Sequence, residues 1–264
     1  MSNFHVMAGR TAEFAHPTVR KIGMNDLIDA LRMGWRDFME MPSHLMFLAI
    51  IYPIVGVFLA AWTSGAGALP MLFPLMSGFA LLGPVAAIGL YEISRRREAG
   101  LASTWHNALD VRHSPALPSI IALGLLLFAL FIAWLLTARA LDISLFGDVV
   151  PASVGVLLGE VFGTSAGWTL LIAGNLIGLC FAVVVLATTV VAFPLLLDRD
   201  IGAVAAIQTS VRATLANPVT MLAWGLIVAV ALVIGSIPLF AGLAIVLPVL
   251  GHATWHLYRK VIGG

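Results

Sequence analysis

The sequence predicts an all-α, polytopic membrane protein: six transmembrane helices as three parallel-repeat helical hairpins, with amphipathic helices on the cytoplasmic side. Three observations carry this expectation. The 264 residues are 61% hydrophobic and only 10% charged, and the mean hydropathy is +1.03, whereas a soluble domain carries roughly 25% charged residues. Uncharged runs of membrane-spanning length recur, since a helix rising ~1.5 Å per residue needs about twenty residues to cross ~30 Å of hydrocarbon. The basic residues sort to one side: of fourteen Lys and Arg, only Arg139 falls outside when both termini are cytoplasmic.

Residues 1–43 form the first region, an arm followed by an amphipathic helix. Residues 1–23 lack periodicity and read as a mobile or extended cytoplasmic arm without a cleavable signal. Asn25-Asp26 then caps LIDALRMGWRDFMEM. Leu27, Ile28, Leu31, Trp35, Phe38 and Met39 share one face, with Asp29, Arg32, Arg36 and Glu40 opposite. This helix suits either a lipid headgroup layer or the protein's own cytoplasmic surface.

Residues 44–260 form the membrane domain, with spans at about 44–62, 70–91, 117–137, 168–197, 219–235 and 239–258. Pro42 ends the amphipathic helix ahead of the first span. The second runs from Phe73 to a stop signal of Glu92 and Arg95-Arg96-Arg97, punctuated by Pro74, Gly78 and Pro84. Apolar clusters in 138–167 predict a loop folded onto the membrane surface or over the bundle. A Ser-Ile-Pro turn at 236–238 joins the last two spans.

An internal repeat organises these elements. Aligning Pro74 with Pro238 brings Gly78 over Gly242, Pro84 over Pro248 and Arg95 over Arg259 without a gap. Upstream, Pro42 aligns with Pro218 and Arg36 with Arg212, and Pro115 marks a fainter third copy. Each unit is an inner amphipathic segment, a proline, a span out and a span back. Such units are parallel repeats about an axis along the membrane normal.

DLIDALRMGWRDF at 26–38, FALLGPVAAIGLYEISRR at 79–96, FPLLLDRD at 193–200 and LPVLGHATWHLYR at 247–259 resemble the bacterial family catalogued as domain of unknown function 2189. The resemblance runs from about Val19 to Lys260 and implies a protein with several spans in the bacterial inner membrane. It implies no activity, cofactor or catalytic residue.

The residues offer few chemical constellations. His252 and His256, four apart on the last span, project on one helix face as a two-histidine metal clamp requires; His44 and Glu92 are the candidate further ligands. Two histidines one turn apart cannot ligate opposite faces of one haem, which excludes oxidase catalysis. Charges are missing from 161–197 and 213–251, which disfavours an ion-coupled pump. Gly174, Asn175 and Gly178, with Gly78, Pro84, Gly242 and Pro248, are expected at helix contacts or along a pore. Trp35, Arg32, Arg36, Arg95, Arg96 and Arg97 are candidate lipid-headgroup contacts. GxxxxGK[ST] and HExxH do not occur, and the lone Cys180 lies in an apolar run.

The sequence therefore points to a non-enzymatic accessory or scaffold protein without a cofactor. Its expected partners are membrane lipids and another integral inner-membrane complex, such as a respiratory one, with no nucleic acid. The alternatives are a passive pore or carrier for a small neutral solute, lined by Asn175, Ser77 and Thr189, and a cytoplasmic-side metal binder.

Overall fold

The computed structural model of the chain describes residues 17–41, 56, 59, 69–238 and 240–263. The first predicted span, with Pro42 and His44, lies outside the described residues. Among those described the architecture is all-helical, and the one β-type pairing is an isolated bridge of Val19 with Ile262.

Helix α1 spans Met24–Glu40. Its buried face is Leu27, Ala30, Gly34, Asp37 and Phe38, whereas Ile28, Trp35 and Met39 are exposed. The sequence-predicted apolar face is thus split. Small residues and one carboxylate turn inward because this side meets another helix at backbone distance, where bulk does not fit.

The predicted second span is a series of short pieces: a 3₁₀ turn at Leu69–Met71, α2 Leu72–Leu81, α3 Gly83–Ala86 and α4 Ile88–Glu98. Pro84 lacks an N–H and crowds the preceding turn, so the helix reforms around Leu82 and again at Ala87. It does not stop at the basic block: α4 continues through Arg95, Arg96 and Arg97. A 3₁₀ segment, Trp105–His113, follows and packs on α4.

The third predicted span becomes α5, Leu117–Phe146, nine residues longer than expected at its far end. Asp142, one turn after Arg139, pairs with it at 2.8 Å, which lets the helix carry both charges until Gly147, at φ 74°, ends it. The loop predicted to fold over contains α6, Val154–Gly163, with Ser153 as its cap. The fourth predicted span divides into α7, Ser165–Thr189, and α8, Ala192–Asp198. Pro194 cannot join a continuous ladder, and the chain breaks just before it at Val190-Val191.

Then follow α9 Ala203–Ala216, α10 Pro218–Ser236 and α11 Leu243–Val261, the last keeping Pro248 inside an unbroken helix. Among the described residues three stretches are long and apolar enough to cross a membrane: Leu117–Phe146, Ser165–Asp198 and Pro218–Ser236. They expose Leu125, Leu136, Ile172, Leu176, Leu226 and Val233, a surface that hydrocarbon solvates and water does not.

The core gathers Leu123 and Leu127 of α5, Val185 of α7, Phe193 of α8, Met221 and Trp224 of α10 and Trp255 and Tyr258 of α11. The arm, read as mobile or extended, is from residue 18 an extended strap. Arg20 N–H donates to Val261 O at 2.8 Å, and Gly263 N–H to Thr18 O at 2.9 Å. Asn217 pins the strap by accepting from Ile22 N–H at 2.9 Å and donating to Arg20 O at 3.0 Å. Asn217→Ala removes both ties. Its expected result is faster amide hydrogen exchange at residues 18–22, with a stability loss of about 1–3 kcal/mol for the orphaned backbone groups.

Candidate functional site at the charged end

Helices α1, α4 and α11 meet at one end of the molecule because two glycines allow it. A Cβ on Gly34 of α1 would lie 2.6 Å from Ala253 N and 2.7 Å from Val249 O of α11. A Cβ on Gly251 of α11 would collide with Leu90 Cδ1 of α4 and lie 3.1 Å from Leu90 Cβ. Packing this close brings side chains more than two hundred positions apart into one polar cluster.

Asp37 is its centre. Ser94 Oγ donates to Asp37 Oδ2 at 2.6 Å, and His256 Nε2 meets the same oxygen at 2.8 Å. Arg97 Nε lies 3.2 Å from Oδ1 and the same guanidinium also pairs with Glu40. Burial raises the Asp37 pKa, but hydrogen bonds from His256 and Ser94 and the charge of neighbouring imidazole outweigh it, holding the carboxyl below its usual range. Asp37 is therefore ionised at neutral pH and accepts.

That fixes the proton on Ser94. His252 Nδ1 lies 2.6 Å from Ser94 Oγ. The single hydroxyl proton goes to Asp37, so His252 Nδ1–H donates to the oxygen. The Nε2 of His252 is buried without a hydrogen-bond partner among the described residues. The serine thus sits between carboxylate and imidazole, with its proton on the carboxylate side. In a nucleophilic triad the imidazole is in the middle and takes the serine proton. This arrangement fastens helices and does not activate Ser94.

A second set of pairs encloses the cluster. Glu98 accepts from Trp255 Nε1 at 3.0 Å and from Arg259 Nε at 2.9 Å. Tyr258 donates to Asp198 at 2.6 Å, tying α11 to α8. Lys260 lies 3.3 Å from both Asp26 and Asp29, tying α11 again to α1.

The predicted metal ligands are placed differently from a shared site. His252 and His256 are close, as expected, but their ring nitrogens engage Ser94 and Asp37. Glu92 makes a two-point pair with Arg95 at 2.8 Å in both bonds. Among the described residues no three His, Cys, Asp or Glu side chains gather as a metal site, and His44 lies outside them.

The basic block, expected at lipid headgroups, is likewise committed inside the protein. Arg95 holds Glu92, Arg96 holds Asp110 and Arg97 holds Asp37 and Glu40. These acidic partners lie on α4 itself, on the 105–113 segment and on α1, the last two covering the end of α4. Trp35, Arg32 and Arg36 do face outward, with the two arginine side chains 77% and 81% exposed.

Of the helix-contact candidates, Gly78 packs on Trp134 and Phe131 of α5, and Gly178 packs on the opposite edge of the same indole. Trp134 Nε1 donates to Pro74 O at 2.8 Å, so this buried ring joins α2, α5 and α7. Gly242 abuts Gly235 at the α10–α11 turn, and Pro248 is buried. Gly174 makes only ordinary contact with Leu141, and Pro84 is half-buried. Asn175 is exposed and donates to Leu171 O of its own helix at 2.7 Å. Thr189, expected beside it on a pore, is buried and bonds Val185 O at 2.7 Å. The two do not share a path.

Helical periodicity does not single out Asp37, Ser94 or Trp134 as interhelical residues, and it assigns Arg97 to a lipid surface. The available signal for Asp37 is a carboxylate on the small-residue side of α1, next to Gly34 and Ala30.

Among known proteins, a family model described as predicted integral membrane protein (DUF2189) matches residues 71–198. No curated protein and no solved structure matches the chain. The match contains Ser94, Arg97, Trp134 and two of the three membrane-length stretches found among the described residues, while Asp37, His252 and His256 lie beyond it. Those exposed apolar helices agree with its description, and residues 71–198, just under half of the chain, match this family of predicted integral membrane proteins.

Proposed function

We propose that the protein is a non-enzymatic scaffold of the bacterial inner membrane, a closed ring of three helical hairpins that packs with lipid and with another membrane complex. The observation that carries this reading is the docking of α1 on α11, sealed by Asp37. The segment at Trp105–His113 packs on α4, and α9 packs on α7 and α8. The later amphipathic segments thus each cover the returning helix of the preceding unit, and α1 of the first unit covers that of the last. A ring closed in this way supports the parallel three-hairpin repeat and six spans, with the first at 44–62. The polar groups at the joint are turned on one another and leave an apolar flank for neighbours.

The excess of basic residues on one side supports a cytoplasmic position for both termini. Reporter fusions after Ser64, Arg112, Asp148, Asp200 and Lys260 should read outside at Ser64 and Asp148 and inside at the other three; an inside reading at Ser64 would remove the first hairpin. Extraction in native membrane discs should retain a second membrane protein in stoichiometric amount. Recovery of this chain with lipid alone would overturn the partner-complex reading.

A further inference from the structure

The three amphipathic segments share a surface feature that neither the fold nor the polar cluster uses. Counted back from the proline that opens each outgoing span, positions −6 and −3 hold Arg36 and Met39 before Pro42, Leu109 and Arg112 before Pro115, and Arg212 and Leu215 before Pro218. Each pair is therefore one arginine and one large apolar side chain, in either order. In α1 and α9 a spacing of three puts both on one face, and in the 3₁₀ segment it eclipses them.

All six side chains are exposed. Met39 is 55%, Leu109 54% and Leu215 73% accessible, and the three arginines are exposed as well. Arg36 shares its charge with Glu40 at 3.3 Å, in an open i,i+4 pair that leaves the guanidinium reachable. The contrast is with Arg96 and Arg97, whose carboxylate partners come from neighbouring elements, and with Arg95, held at two points by the buried Glu92. Helices α5 and α10 begin within two residues of Pro115 and Pro218, so the second and third pairs lie at the start of a membrane-length helix, and the first stands at the same offset from the span expected at 44–62. At that depth an apolar side chain reaches acyl chains while a guanidinium meets phosphate.

We propose that these are three equivalent docking points for anionic phospholipid headgroups, one per repeat, formed by Arg36 with Met39, Arg112 with Leu109, and Arg212 with Leu215. The occupant is lipid because each cation is paired with a hydrocarbon group ahead of an observed or expected span, and anionic because the proposed topology puts three reachable guanidinium groups at one membrane surface. This inference rests on the three-unit ring. It fails separately from that reading, because reporter fusions test topology while lipid binding tests these residues.

The test uses full-length protein in discs of phosphatidylcholine, with phosphatidylglycerol added from zero to about a third of the lipid, a range that takes the surface from net neutral to strongly negative. Wild type should gain thermal stability with phosphatidylglycerol, and lose that gain in about 0.5 M salt, where screening acts within ~4 Å. Native mass spectrometry should retain three phosphatidylglycerol molecules. Each of Arg36→Gln, Arg112→Gln and Arg212→Gln should lose one and weaken overall retention about five-fold, as one interfacial arginine implies. The variants should match wild type in pure phosphatidylcholine, since all three side chains are exposed. Equal wild-type behaviour in both lipids overturns the proposal without any variant. Unchanged lipid retention in the triple variant, or displacement of lipid by a bound protein at these residues, also overturns it.

Discussion

Gly34→Leu should detach α1 from α11. Even a methyl group at this position would lie 2.6 Å from Ala253 N and 2.7 Å from Val249 O, both backbone atoms of α11. A flexible neighbour could turn aside, but a helix backbone moves only as a unit, so overpacking falls on the joint itself. Gly34→Ala is expected to cost about 1–3 kcal/mol, and Gly34→Leu more, because its extra volume has no rotamer free of α11. The comparison substitution is Gly159→Ala in exposed α6, where a Cβ meets nothing within 4 Å. There the helical preference for alanine should leave stability unchanged or raise it by about 0.5–1 kcal/mol. Limited trypsinolysis reads the result directly. Arg32 and Arg36 sit on the docked helix, resist cleavage while it is held, and should be cut rapidly in Gly34→Leu and slowly in Gly159→Ala.

Asp37→Ala should be comparably severe for an electrostatic reason. The carboxylate accepts from Ser94 and His256 and neutralises Arg97, whose side chain is 19% exposed. Truncation leaves a largely buried guanidinium facing only Glu40 and removes the acceptor of two further groups. Breaking a buried pair from one side costs about 3–5 kcal/mol. Asp37→Asn keeps the shape and one acceptor, and should fall between the two. Arg97→Ala added to Asp37→Ala should cost less than the sum of the single changes, since the second removes the charge that the first strands.

The pH response follows from the same carboxylate. Its folded pKa is lowered, so its contribution is complete above the unfolded carboxylate range and disappears as pH falls through the folded value. Between about pH 5 and 8 this group therefore adds no slope, and below about pH 4 it does. Thermal midpoints of wild type and Asp37→Asn in discs should converge as the pH is taken below about 4. A constant gap down to about pH 2 would remove Asp37 from the ionised role assigned to it.

These two residues mark where the sequence is silent. Helical periodicity finds α1 and places an apolar face on it, but only Leu27, Leu31 and Phe38 of that face pack, while Ile28, Trp35 and Met39 stay exposed. Hydropathy weighs side-chain transfer into an apolar phase, whereas a close helix crossing selects for small volume and a matched polar group. Gly34 and Asp37 score as neutral or polar in that count and become interior only because α11 is present. The basic block at 95–97 has the same history. Its charges read as a stop signal at a surface, yet each finds a carboxylate within the protein, and those of Arg96 and Arg97 are brought from other elements. Trp134 likewise reads as one more apolar residue until Gly78 and Gly178 appear on its two sides.

The sequence alone determined the helical class, the membrane setting and the three apolar stretches that reach membrane length among the described residues, because these depend on composition and spacing along one chain. The resemblance in its motifs also led to the family that residues 71–198 match. Only the tertiary structure decided which face of α1 is interior, how the second span kinks, and that His252 and His256 turn toward Ser94 and Asp37. Those outcomes depend on the identity of the partner across a contact. A linear pattern records which side chains avoid water, but not which distant backbone comes close enough to require a glycine, or which cation arrives to hold a carboxylate.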